Sequence, residues 1–370
     1  MPANTQHTVP GTVVHHVPAR TRQYVGCPSI VVLPDGAYLA SHSYFGPGAT
    51  NTDTFVYRSD DRGASWRRIA ELHEQIWSNL FIHRGALYIM GTDHCDRYGG
   101  RLNGRVVIRR SDDWGESWTT PTDPSNGLLF DEDGYHTAPV PVVVHDGRLF
   151  RAMEFAPTPD RRTWLAFVLA ADADSDLLDR RSWRASERYE HLWSESQWIE
   201  GNVVVAPEGH VVDVLRTNGG GNDTFAQTEL KDKAILLHVS EDGRTLFHDR
   251  KGDLVDMPGG GVKFTIRYDE ASQRYWTLSN KQRDPDAVRN RLFLCSSADL
   301  RHWTVHEELL CHLDTATHAF QYVDWVSDGE DIVFVSRTAF DDDEGGAHNF
   351  HDANYLTFHR VEGFRSHAAG

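Results

Sequence analysis

Two eight-residue segments, Ser59-Asp-Asp-Arg-Gly-Ala-Ser-Trp66 and Ser111-Asp-Asp-Trp-Gly-Glu-Ser-Trp118, share one S-x-D-x-G-x-x-W spacing. The spacing describes a tight turn between two strands. Ser and Asp side chains bond the turn's own backbone, Gly takes a φ that a Cβ would forbid, and Trp folds back to pack between sheets. A turn that recurs so soon restricts the chain to copies of one β unit laid side by side. Degenerate copies follow at Ser240-Glu-Asp-Gly243 and Ser297-Ala-Asp-Leu-Arg-His-Trp303, with a weaker echo between Asp174 and Trp183.

A second marker recurs at the same coarse period. Short turns between strand-like runs stand at Pro34-Asp35-Gly36, Arg84-Gly85, Asp146-Gly147, Glu208-Gly209, Asp269 to Ser272 and Asp328-Gly329. Alternating runs such as Val211 to Leu215 flank them. Six turns give six blades, an all-β, six-bladed β-propeller formed as one domain by residues 1–370, with blades over 21–365. Ala353-Asn-Tyr-Leu-Thr-Phe358 is the third strand of the last blade. Within residues 1–20, Thr12-Val13-Val14 is expected to pair beside it and close the ring, which removes exposed sheet edges.

A formal net charge of −17 excludes nucleic acid and anionic membrane as partners, because both need a basic face. Met1 to His16 lacks an apolar signal-like core and no stretch reaches membrane-spanning length, so a cytoplasmic location is expected. Cys27, Cys95, Cys295 and Cys311 form no C-x-x-C pair and read as reduced thiols; neither metal nor cofactor is expected.

Propeller pockets lie on the axis, where the innermost strand of each blade begins and the second ends. Moving about seven to ten residues, roughly a strand length, back from each turn gives Cys27, Asn79, His136, Glu200, Lys263 and Gln321. The same distance forward gives His42, Asp93, Glu154, Arg216, Asn280 and Arg337. Polar groups at positions that alternation assigns to core aliphatics are costly unless they serve a site or bond one another around a wet channel. Both readings stand at this point.

Together the S-x-D-x-G-x-x-W boxes and the six turns resemble the sialidase-type β-propellers. The run from Glu200-Gly-Asn-Val-Val-Val-Ala-Pro-Glu-Gly209 to Arg216 is similar to a sialidase segment. The resemblance implies that Glu200 polarises a tyrosine nucleophile and that Arg216 is one of three arginines gripping a substrate carboxylate. Arg289-Asn-Arg-Leu-Phe-Leu294 resembles the strand of another, implying Arg289, with Arg291 as the alternative. Three places depart from the family. Tyr24-Val-Gly-Cys-Pro-Ser-Ile30 has no arginine where the first of the triad belongs. Phe320 falls where the nucleophile is expected, so that Tyr322 serves only where the strand bulges. Asp53 is the sole carboxylate in the loop Gly46 to Asp53, late for the family's general acid.

Arginines opposite a carboxylate favour an acidic sugar. Glu154 and Glu200, on neighbouring blades, make a two-carboxylate glycosidase arrangement or else fixed ion pairs with Arg151, Arg216 or Lys263. In Gly345-Gly-Ala-His-Asn-Phe-His-Asp352, His348, His351 and Asp352 are candidate metal ligands or an acid/base with its orienting carboxylate. With Tyr135-His136 across the channel, the latter also suits β-elimination from a uronate. The leading expectation is a sialidase-like exo-glycosidase that hydrolyses the bond next to an acidic sugar in an oligosaccharide or glycoside. Arg216 and Arg289 hold the carboxylate. Glu200 and Glu154 act as acid/base or support the nucleophile, and His136, His351 with Asp352, and Tyr322 carry protons. Lys263, Asn280, Gln321, Arg337 and His42 complete the binding ring. A uronate lyase and a non-catalytic glycan-binding propeller are the alternatives.

Overall fold

A computed structural model describes residues 8–49, 52–94, 104–158, 163–190, 196–219, 230–249, 252–282 and 288–368; Cys95 and the first seven residues lie outside these. Six antiparallel sheets follow one another along the chain, over residues 24–72, 76–130, 135–185, 196–256, 266–311 and 319–361. They are the six blades of a propeller. Thr12–His16 pairs with Tyr355–Val361, so the last sheet takes its outer strand from the start of the chain.

Each of the six short turns joins the innermost strand of a blade to its second strand, as between Ser29–Val32 and Tyr38–Phe45 or between Ala319–Asp328 and Asp331–Ala339. The box turns join third to fourth strands. In the first of them Ser59 Oγ donates to Asp61 at 2.8 Å and accepts from the Gly63 amide at 2.8 Å, and the Ser65 amide donates to Asp61 at 2.8 Å. Gly63 has φ +91°, and a Cβ there would lie 2.1 Å from the Phe358 ring. Trp66 packs on that same ring of blade six, 5.4 Å between centroids. Trp118 packs against the apolar cluster of blades one and two and Trp303 against that of blades four and five. Box tryptophans are thus wedges at the blade junctions, away from the axis.

Blades one and three have five strands rather than the four of blades two, five and six, because their innermost strand is broken, at Pro28 and at Pro139 and Pro141, where proline offers no donor to the ladder. Blade four gains Leu254–Asp256 beside its third strand.

The innermost strands of blades two, four and six carry the feature that builds the site. Each slips register once, after Ile76, Ile199 and Gln321. At each slip one residue takes a left-handed backbone: Trp77 (φ 50°), Glu200 (φ 57°) and Tyr322 (φ 53°). Two residues on, an amide or carboxylate bonds a neighbouring blade. Asn79 accepts from Arg151 of blade three at 2.8 Å, Asn202 from the Ile266 amide of blade five at 3.0 Å, and Asp324 from Ser29 Oγ of blade one at 2.8 Å. A bulge re-aims one side chain, and these buried bonds hold it there.

Candidate active site

Tyr322, Glu200 and Arg216 form a chain across the axis. Tyr322 Oη donates to Glu200 Oε1 at 3.0 Å, and Arg216 Nη1 donates to Glu200 Oε2 at 2.6 Å. Burial would raise the Glu200 carboxyl, but the Arg216 charge and hydrogen bond, with His136 and Arg289 further off, outweigh it and hold the group ionised below the usual carboxylate range. The displaced tyrosine is therefore beside the glutamate because its strand bulges, whereas Phe320 is buried in the apolar core.

Two more guanidinium groups flank Tyr322. Arg289 lies 5.4 Å and Arg337 4.6 Å from the ring centroid, and Arg337 also covers Phe45 at 4.4 Å. Arg337 and Arg216 hold the same register position in blades six and four, each opposite the residue before the bulge. Sequence alone gave Arg337 no special weight, yet it brings a third arginine to a centre whose first blade offers none. Neither Arg289 nor Arg337 has a carboxylate within ion-pair distance among the described residues. Arg289 rests on Gln321 Oε1 at 2.6 Å and Arg337 on the His351 carbonyl. Burial lowers both cations, Arg337 to about 10, so they stay charged but poorly compensated.

On the other side of Glu200 a second dyad forms. His136 Nδ1 and Glu154 Oε2 are 3.1 Å apart, and Glu154 Oε1 accepts the Gly201 amide at 3.1 Å, next to Glu200 in sequence. Neither carboxylate pairs with Arg151, whose guanidinium is spent on Asn79, Thr137 and backbone carbonyls. The His136 ring lies between the indoles of Trp77 (4.5 Å) and Trp164 (4.7 Å). Sequence reading missed both tryptophans. The signal for Trp77 was available: Trp77-Ser-Asn79, Glu200-Gly-Asn202 and Tyr322-Val-Asp324 share a large side chain followed two places on by Asn or Asp.

The remaining candidates support this centre or stand outside it. Buried Lys263 donates to Val323 O and Thr265 Oγ1, each at 2.6 Å, and so pins the Tyr322 bulge; burial draws its amine down to about 8. Asn280 gives its amide to the carbonyls of Arg289, Arg291 and Phe320 and fixes the Arg289 segment. His351 Nδ1 meets Asp352 at 2.8 Å, yet burial and Arg337 push this imidazole down to about 3 and keep it neutral. His42 belongs to a core stack with His15 and Tyr57, its ring nitrogens taken by Ser43 O and Tyr57 Oη. Asp53 bonds His73 at 3.0 Å at the head of the third strand of blade one. Arg291 pairs with Glu308, which leaves Arg289 as the arginine that reaches the axis.

Solved structures with this fold include the α-L-arabinanase of Penicillium chrysogenum complexed with arabinobiose, 16% identical over 96% of this chain and 98% of that one, TM-score 0.59. The α-L-arabinofuranosidase of Fusarium graminearum in complex with an iminosugar inhibitor is 11% identical over 96% and 98%, TM-score 0.60. The sialidase of Trypanosoma rangeli is 13% identical over 98% of this chain and 57% of its own, TM-score 0.60. Identities this low show the fold alone, the six-bladed propeller of the sialidase type. No protein-family model matches the chain, and no curated protein matches it in sequence.

Proposed function

We propose that this six-bladed propeller of the sialidase type is a glycosidase that hydrolyses the bond to an acidic sugar. The observation that carries the reading is a tyrosine hydroxyl bonded to an ionised glutamate, with two guanidinium groups on its ring that lack a carboxylate among the described residues. A substrate carboxylate supplies the missing charge, and bidentate Arg contacts orient it. When that carboxylate sits on or beside the anomeric carbon it repels an anionic nucleophile. A neutral phenol is suited there, since its proton passes to Glu200 as its oxygen attacks. His136, oriented by Glu154, gives a proton to the leaving oxygen, and water then releases the sugar from Tyr322 with the same groups acting in reverse. The fold's likeness to glycosidases that hold sugars or sugar mimics supports a carbohydrate ligand.

Replacing Arg289→Ala or Arg337→Ala tests the reading without stranding the Glu200 charge. Each is expected to weaken an acidic sugar by about 2 to 4 kcal/mol in calorimetric titration, the scale for one partner of a desolvated charged contact. Neutral sugars are expected to be unaffected. Equal affinity for a uronic acid and its neutral parent in the unaltered protein contradicts the reading.

A uronate lyase is the second reading, favoured by the geometry of His351, an imidazole oriented by Asp352 and lying behind Arg337 at a carboxylate site. It requires an unsaturated, ultraviolet-absorbing product and activity that fails with His351→Ala but survives Glu200→Gln.

A further inference from the structure

Three bulges of one kind surround the axis, on alternate blades, and two of them present Glu200 and Tyr322 to the centre. The third presents Trp77. A tryptophan in the left-handed region costs backbone energy and persists only where its surroundings over-determine it. The surroundings do so: Asn79, two residues on, is clamped by buried Arg151, and opposite the bulge Gly91 leaves no room for a Cβ, which would lie 2.1 Å from Ser78 Oγ. The indole gains no full burial in return. It stays partly exposed, its plane near perpendicular to the His136 ring, whose other neighbour is Trp164. Trp164 is buried against Ala156 and Ile199, and Ile199 immediately precedes Glu200.

The centre is therefore divided. Blades four, five and six bring Arg216, Arg289 and Arg337 around Tyr322, while blades two and three bring two indoles around the His136–Glu154 pair. We infer that Trp77, backed by Trp164 and His136, is a stacking platform for a second, uncharged sugar ring joined to the acidic one. The inference rests on the acidic sugar lying at Tyr322. Given that, the bond to be broken lies between the halves, next to the imidazole that protonates the leaving oxygen. Aromatic faces bind the C–H surface of a pyranose by apolar contact, and they tolerate varied hydroxyl patterns because no hydroxyl is read by charge. The platform thus selects for a glycosidic partner with an apolar ring face and against a second anion.

The test is titration calorimetry on the full chain with four probes: N-acetylneuraminic acid and glucuronic acid, and the uncleavable sulfur-linked disaccharide of each with galactose. In the unaltered protein the disaccharide of the acid that binds is expected to bind about tenfold tighter than the free acid, the worth of one good aromatic contact. Trp77→Ala and Trp77→Asn are expected to abolish that gain while changing free-acid affinity by less than about threefold. Asparagine tolerates the left-handed backbone, so it removes the ring without refolding the bulge. Trp77→Phe is expected to keep most of the gain. If both ring-removing variants bind the disaccharide as the unaltered protein does, or lose the free acid equally, the platform is wrong while the acidic-sugar reading stands. If neither free acid binds the unaltered protein, the acidic-sugar reading falls, and the platform with it.

Discussion

At the scale of single residues, beside the two tryptophans, the centre holds a carboxyl group that no expectation named. Asp213, on the second strand of blade four, is fully buried; neither carboxyl oxygen has a hydrogen-bond partner among the described residues, and a Cβ on Gly201 would lie 2.3 Å from Oδ1. Burial first, and repulsion from Glu154 second, raise its pKa well above 3.8, so the carboxyl is protonated where the unfolded chain would ionise. A raised pKa on an acid contributes stability below the unfolded value and loses it as pH rises towards the folded one. Asp213→Asn removes that loss. The variant is expected to be more stable than the parent in urea unfolding at neutral pH, with the difference closing as pH falls towards 3.8. A difference independent of pH would show that Asp213 is ionised in the folded chain. Among the sequence candidates the fold brings together pairs that bond one another (Glu200 with Tyr322, His136 with Glu154), whereas His42 is an imidazole of the core.

At the scale of elements the hairpin turns were legible and the bulges were not. A turn announces itself through Gly, Asp and Pro, whose backbone preferences are local, and all six joined the strands expected of them. A bulge is fixed by bonds to another blade, and strict alternation along a strand counts straight through it. Counting therefore selected Asn79 and Gln321, and it passed over Trp77 and left Tyr322 conditional on a slip that the strand in fact makes. Arg337 was missed as a partner of Tyr322 for the same reason. Because Asn202 both accepts the Ile266 amide and donates to Phe264 O and Glu200 O, it holds the Glu200 bulge to blade five. Asn202→Ala leaves a buried amide and carbonyl unpaired and is expected to cost about 1 to 3 kcal/mol in chemical unfolding, with kcat falling more than KM rises. An unchanged unfolding midpoint would mean the bulge is held by its own strand.

At the scale of the molecule the fold repeats six times but the site repeats in threes, with innermost-strand bulges on even-numbered blades and bonds from them to odd-numbered ones. Closure is made twice over, at the rim by Thr12–His16 on Tyr355–Val361 and at the axis by Asp324 on Ser29 and the Ile30 amide. A rigid ring of this kind can concentrate three guanidinium groups at the axis of a chain whose net charge is −17, because the cost of gathering them is borne by the whole packed scaffold. The proposed hydrolysis turns on Tyr322, and this can be measured directly. The protein is incubated with a fluorinated ulosonyl fluoride, which forms a glycosyl adduct quickly and releases it slowly, and the intact mass and its peptides are then read by mass spectrometry. The account expects a gain of one glycosyl unit, mapped to Tyr322 and absent from Tyr322→Phe. An adduct on Glu154 or Glu200 instead, formed equally well in Tyr322→Phe, would contradict it.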